Sequence, residues 1–279
     1  MGVKVRFSGG PTGLLLRSIL AVLTLPLAVP GARAINITTV VIPSLIKAGS
    51  PEPVILDCKY ELSSSLTKGL VIKWYVNQDL IYQWIFGSKP SGSDEFQKYI
   101  DDTFKASDEP HSMYRAVKLV RPSHELSGDV KCLVSTMYDE VQAVRKMLVY
   151  SPEKSFKFLD PVPNNATNEL TFACLAEDLY PRPQIKIKLH RNRKPMDIAY
   201  KEYYESKLDG RYKAKAAAAI KADKIELPAI FQCEISIPEA NYTSAQEYVY
   251  NASTFLRVQV RHRGRSARGQ VRENGDARR

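Results

Sequence analysis

Apolar and polar residues alternate with a period of two along several stretches of the chain. Val54, Leu56, Cys58 and Tyr60 fall on one face of a segment whose other face carries Ile55, Asp57 and Lys59. Ile72, Trp74 and Val76 share a face of the next apolar segment, and Cys132 sits in a third, residues 128–134. Further along, Leu170, Phe172, Cys174 and Ala176 alternate, as do Ala229, Phe231, Cys233, Ile235 and Ile237. This period predicts strands with one buried face. Residues 35–41, 80–85, 114–120, 142–150 and 247–251 read as further strands, separated by turn signals at 48–51, 77–79, 87–94 and 122–128. The pattern therefore predicts an all-β chain. One stretch is contested. Residues 214–220 are almost all alanine and lysine, which favours helix intrinsically, yet they lie between the Cys174 and Cys233 strands. Position predicts a strand there, because tertiary context overrides local propensity.

A cysteine, a tryptophan on a short strand and a second cysteine form the core pattern of an immunoglobulin sandwich, in which a disulfide pins two sheets and the indole packs on the sulfurs. Cys58, Trp74 and Cys132 fit it, with Trp74 as a core residue. The distance between the two cysteines, with an extra strand after Trp74, predicts a variable-type domain over 35–151. One position departs from the pattern: two residues before the second cysteine, where a tyrosine usually anchors the corner, stands Val130. A second sandwich is expected over 152–256. There Cys174 is followed by Tyr180-Pro181-Arg182-Pro183 and a strand, which looks like a constant-type domain, but no tryptophan follows Cys174. Ile185 or Ile187 is expected to fill that core position, leaving less buried area and a less stable domain. Four cysteines allow three pairings. The sequential one, Cys58 with Cys132 and Cys174 with Cys233, gives each domain its own bridge.

Length agrees: 279 residues suit about two domains. Charge changes the picture more. The formal net charge is +10, but residues 1–34 hold +4 and residues 257–279 hold +6. The body between them is neutral, so nothing in it calls for nucleic acid. Residues 1–34 combine Lys4 and Arg6, an apolar run and Ala32-Arg33-Ala34, which predicts a secretory signal peptide cleaved after Ala34. No later stretch approaches the ~20 apolar residues of a spanning helix, so no transmembrane segment is expected and the product is expected outside the cell. An oxidising compartment suits the cysteines. Residues 257–279, rich in Arg and Gly, are expected to be disordered; a sulfated glycan is the candidate partner for this tail. Four Asn-x-Ser/Thr sequons, at Asn36, Asn165, Asn241 and Asn251, are candidate glycosylation sites. No catalytic motif, phosphate loop or metal-ligand spacing stands out, so neither an enzyme nor a cofactor is expected.

The sequence resembles one family more closely. Residues 41–49 (Val-Ile-Pro-Ser-Leu-Ile-Lys-Ala-Gly), Cys58-Lys59-Tyr60-Glu61-Leu62, Ile72-Lys73-Trp74-Tyr75, the aromatic strand leading to Lys89-Pro90, and Ser127-Gly128 before Cys132 resemble the beaten-path group of insect immunoglobulin proteins. The likeness covers the first domain well and the second less specifically. It implies a secreted or membrane-tethered neuronal recognition protein that binds sidestep-type immunoglobulin proteins in axon guidance. In variable-type domains the sheet carrying the Trp74 and Cys132 strands is, by resemblance, the usual contact face. If Trp74 and Cys132 point inward, then Lys73, Tyr75, Lys131 and Leu133 point outward. Exposed aromatic residues beside a cation have the composition of a binding hot spot, which makes Tyr75, Tyr82, Trp84, Lys73 and Leu133 the candidate partner-binding residues. The pattern leaves open which way the strand of Tyr82 and Trp84 faces, and Trp84 as core is the alternative.

Overall fold

The computed structural model describes residues 35–63, 67–191 and 194–251, with the side chain of Arg191 not described. The predicted leader and the basic tail lie outside these residues. The first domain holds ten strands: β1 (Ile35–Val41), β2 (Leu45–Lys47), β3 (Val54–Leu62), β4 (Val71–Val76), β5 (Asp79–Ile85), β6 (Ser91–Gly92), β7 (Ile100–Asp101), β8 (Val117–Leu119), β9 (Gly128–Ser135) and β10 (Glu140–Tyr150). They form two sheets, ordered β1-β3-β8-β7 and β2-β10-β9-β4-β5-β6. All neighbours are antiparallel except β2, which runs parallel to β10. The second domain holds β11 (Ser155–Asn164), β12 (Glu169–Leu179), β13 (Gln184–Arg191), β14 (Lys194–Asp197), β15 (Lys201–Ser206), β16 (Tyr212–Lys221), β17 (Ala229–Ile237) and β18 (Tyr242–Tyr250), in sheets β11-β12-β16-β15 and β14-β13-β17-β18.

Each domain has its own core. In the first, Trp74 is fully buried among Ile72, Val76, Leu56 and Leu119, beside the Cys58–Cys132 disulfide. Its indole N–H is not left unpaired: Nε1 donates to the Arg115 carbonyl at 3.0 Å. Val130 stands buried at the corner position, so the usual tyrosine hydrogen bond is absent there. Other bonds hold that turn. Tyr99 Oη donates to Glu125 Oε2 at 2.5 Å, and Ser127 Oγ accepts from the Val149 amide at 2.9 Å.

In the second domain the Cys174–Cys233 disulfide sits beside a stacked pair, Phe172 on Phe231, with ring centroids 3.8 Å apart. Ile185 and Ile187 are both buried where the tryptophan would stand. The contested stretch is strand β16. Ala214, Ala216 and Ala218 all point inward and are fully buried. Their small side chains leave room for the phenylalanine pair, and pairing with β12 on one side and β15 on the other supplies the ladder that a lone alanine-rich segment lacks.

Several sequence-based bounds shift: the strand expected over 247–251 is Tyr242–Tyr250, and the one over 142–150 begins at Glu140. The strand expected over 114–120 shortens to β8, because the carbonyls of Tyr114 and Arg115 accept from side chains instead of a neighbouring strand. The loop at 87–94 contains the short strand β6, and the turn at 122–128 contains a single 3-10 turn, His124–Leu126.

Candidate recognition face

The outer face of the β4/β9 sheet is fixed by strand register. Trp74 opposes Cys132, and both are buried. Their neighbours on the same strands must therefore face out. Two rows of outward residues cross the sheet. One runs Leu80, Tyr75, Lys131, Val144; the next runs Gln83, Lys73, Leu133, Gln142. Lys73, Tyr75, Lys131 and Leu133 are half-buried, and Val144 is exposed. At the centre, Lys131 Nζ lies 4.2 Å from the Tyr75 ring centroid, a cation–π contact. The solvent side of an antiparallel sheet is ordinarily polar. Here Leu80, Tyr75, Leu133 and Val144 make it amphipathic.

Tyr82 and Trp84 do not belong to this face. Register decides it: Tyr82 pairs with Trp74, and Trp84 with Ile72, so both share the inward side. Tyr82 is 1% exposed and Trp84 2%. A bulge causes the confusion. Between Trp74 and Tyr75 the register slips by one residue on β5, which places Ile81 and Tyr82 consecutively in the core. Such an extra residue rephases a strand, and it erases the alternation from which the facing could be read. The hydroxyl of Tyr82 donates to the Tyr114 carbonyl at 3.0 Å, and Trp84 Nε1 donates to the Ser88 carbonyl at 3.2 Å. Burial pushes the Tyr82 phenol far above its ordinary pKa. Partner-face candidates at Tyr82 and Trp84 are thus replaced by core residues that hold neighbouring loops.

Val144 and Leu80 join the face without having been singled out. Parity on β10 relative to β9 would have named Val144, but only the pairing itself shows which residue opposes which. The four sequon asparagines are all exposed. Asn36 lies on β1, on the sheet opposite the amphipathic face. Asn165 lies in the turn between β11 and β12, Asn241 in the turn before β18 with a left-handed φ of 48°, and Asn251 directly after β18. The hydroxyl residue of the last sequon, Ser253, lies outside the described residues.

Among the described residues no group of three or more His, Cys, Asp or Glu side chains gathers in metal-binding geometry. No helix among them is long and apolar enough to cross a membrane.

Comparison with known proteins agrees with this geometry. Residues 157–239 match the family described as immunoglobulin C1-set domain. A comparison with curated proteins finds no match. Among solved structures, bovine butyrophilin aligns with a TM-score of 0.56 at 16% identity, covering 76% of this chain and 96% of that one. The structure titled Rst D1-D2 aligns with a TM-score of 0.55 at 11% identity, covering 78% and 99%. A chain from the complex of ICOS with ICOS-L and an anti-ICOS-L VNAR domain aligns with a TM-score of 0.53 at 15% identity, covering 74% and 98%. Identities this low speak for the fold alone. Domains of this fold, closed by disulfides, are typical of extracellular recognition proteins. The described residues form two tandem immunoglobulin-like β-sandwiches, and residues 157–239, in the second, match the C1-set domain family.

Proposed function

We propose that the chain is a non-enzymatic extracellular recognition protein that docks on another cell-surface protein through the outer face of the β4/β9 sheet. The observation that carries this reading is the amphipathic centre of that face, where Tyr75 and Lys131 stand between Leu133, Leu80 and Val144. A planar ring with few rotatable bonds, held by a neighbouring cation, presents contact area at small entropic cost. The sequon at Asn36 lies on the opposite sheet, so a glycan there would leave the face clear. The resemblance to the beaten-path group supplies the class of partner, a sidestep-type immunoglobulin protein, and the setting, adhesion in axon guidance.

The test is a binding screen with the secreted chain presented as a multimer, since avidity reveals weak single contacts. Tyr75→Ala combined with Lys131→Ala is expected to abolish binding to the partner found, with secreted yield unchanged. Binding at wild-type strength would remove the face from consideration. Shifted mobility after glycosidase treatment tests the sequons, which are proposed as glycosylated.

The +6 charge of residues 257–279 favours a second reading, retention on sulfated glycan by the tail. Binding to heparin that falls steeply with salt and vanishes on deleting 257–279 would support it.

A further inference from the structure

Fifteen residues connect β7 to β8, and this connection is held in place by the core of the first domain. Three buried or half-buried aromatic side chains donate to its main chain. Tyr60 Oη donates to the His111 carbonyl at 2.5 Å, Tyr82 Oη to that of Tyr114 at 3.0 Å and Trp74 Nε1 to that of Arg115 at 3.0 Å. Arg115 also forms a bidentate pair with Asp57, at 2.8 and 3.1 Å. Within the loop, the Ala106 amide donates to Met113 O, and the hydroxyls of Ser107 and Ser112 lie 2.7 Å apart. Phenylalanine would pack at positions 60 and 82 without a hydroxyl to satisfy. Placing polar groups there gives up apolar burial to fix one loop conformation. A long connection without secondary structure that is so firmly held is the mark of a functional loop.

What the loop displays indicates the ligand. Glu109, His111 and Ser112 face Tyr60, Leu62 and Thr67 across an open cleft of about 370 Å³. Among the described residues of this lining, Glu109 supplies a carboxylate. Its side chain remains 57% exposed, so it is accessible. Burial is the largest single influence on its pKa and raises it, but the hydrogen bonds from Ser112 and His111 together outweigh it and keep the carboxyl below the usual range. Tyr60 contributes a ring, Leu62 an apolar patch, and Ser112 and Thr67 hydroxyls. The His111 ring is stacked on Phe86 at 4.4 Å, which fixes that wall. An anion beside ring and aliphatic surfaces suits a long aliphatic stem ending in a cation, because the stem packs while the head meets the carboxylate.

We propose that this cleft receives a lysine or arginine side chain of a partner protein, at a site separate from the sheet face and independent of it. The probes are N-acetyl-L-arginine methylamide and N-acetyl-L-lysine methylamide, with the uncharged N-acetyl-L-norleucine methylamide for comparison. Each is titrated into the isotope-labelled secreted chain and followed by NMR. The expected result is saturable shifts in the amides of 109–112 and Tyr60 with the two cationic probes only. Glu109→Gln, which keeps the side-chain shape, is expected to weaken them about two- to fivefold, as loss of one solvent-screened charge pair implies. Tyr60→Phe keeps the ring but frees the His111 carbonyl, and is expected to weaken the cationic probes while increasing amide exchange across 106–115. Core methyl signals serve as the folding control for both variants. The proposal is overturned if no cationic probe gives saturable shifts, if norleucine binds equally well, or if Glu109→Gln binds like the wild type.

Discussion

Tyr60, Trp74 and Tyr82 each place a polar atom in the core of the first domain, and each of those atoms reaches the carbonyls between residues 111 and 115. A buried donor that finds a partner contributes a modest net amount, whereas an orphaned partner loses its desolvation compensation. Tyr82→Phe keeps the packing and leaves the Tyr114 carbonyl without its donor. It is expected to lower stability by about 1 kcal/mol, read from the denaturant midpoint. Because Tyr82 is buried, the same change should leave binding at the sheet face intact, and a binding assay on Tyr82→Phe checks this. Tyr75 behaves oppositely: it faces out beside Lys131, so its loss should affect binding more than folding.

At the scale of elements, the hairpin between β4 and β5 shows how a turn and a distant strand fix each other. Asn77 takes a left-handed φ of 57° in the two-residue turn. Its amide donates to the Asp129 carbonyl at 2.8 Å, and its Oδ1 accepts from the Asp129 amide at 3.1 Å. This side chain lies where a Cβ on Gly128 would stand: such an atom would come within 2.1 Å of Asn77 Oδ1, and φ at Gly128 is 139°. Gly128→Ala is therefore expected to destabilise the chain by about 1–3 kcal/mol. Asn77→Gly in the same chain should recover part of the loss, since glycine accepts the turn conformation; urea melts of the two single variants and the pair measure this coupling.

For the whole molecule, the two domains meet through specific groups. The amides and carbonyls of Ser151 and Tyr180 bond reciprocally at 2.9 and 3.0 Å. His124 Nε2 lies 2.6 Å from the Asp209 carbonyl, and its ring lies against Tyr180. Around this joint the Asp209 carboxyl accepts from the side chain and backbone of Arg211, which hold its pKa down to about 2, and Asp178 accepts from Lys207. A carboxylate with a depressed folded pKa adds stability that is present above its unfolded value of about 3.9 and lost as pH falls toward the folded one. Asp209→Asn should accordingly flatten the decline of stability between about pH 4 and pH 2, measured as denaturant midpoints across that range. The group is well exposed, so the effect is expected to be small. The second domain, with stacked phenylalanines and aliphatics in place of an indole, should melt first. Calorimetry of the intact chain, with hydrogen exchange assigning each transition, decides this.

Much of this architecture could be read from the residues. Alternation placed Leu56, Cys58, Ile72, Trp74, Phe172 and Phe231 inward, since a strand with one wet face admits only a period of two. The position of the alanine-rich stretch between two cysteine strands outweighed its helical propensity, and the cysteines fell into a sandwich pattern each. Tertiary structure decided the rest. A single bulge decided the facing of Tyr82 and Trp84, which the pattern leaves open, because one inserted residue moves every later side chain to the other side and leaves no mark in composition. The loop of 102–116 carries a strand signal only over 114–116, and the strand forms at Val117–Leu119 instead. The loop's conformation is set by donors from residues 60, 74 and 82, contacts distant in sequence that exist only once the sheets have closed.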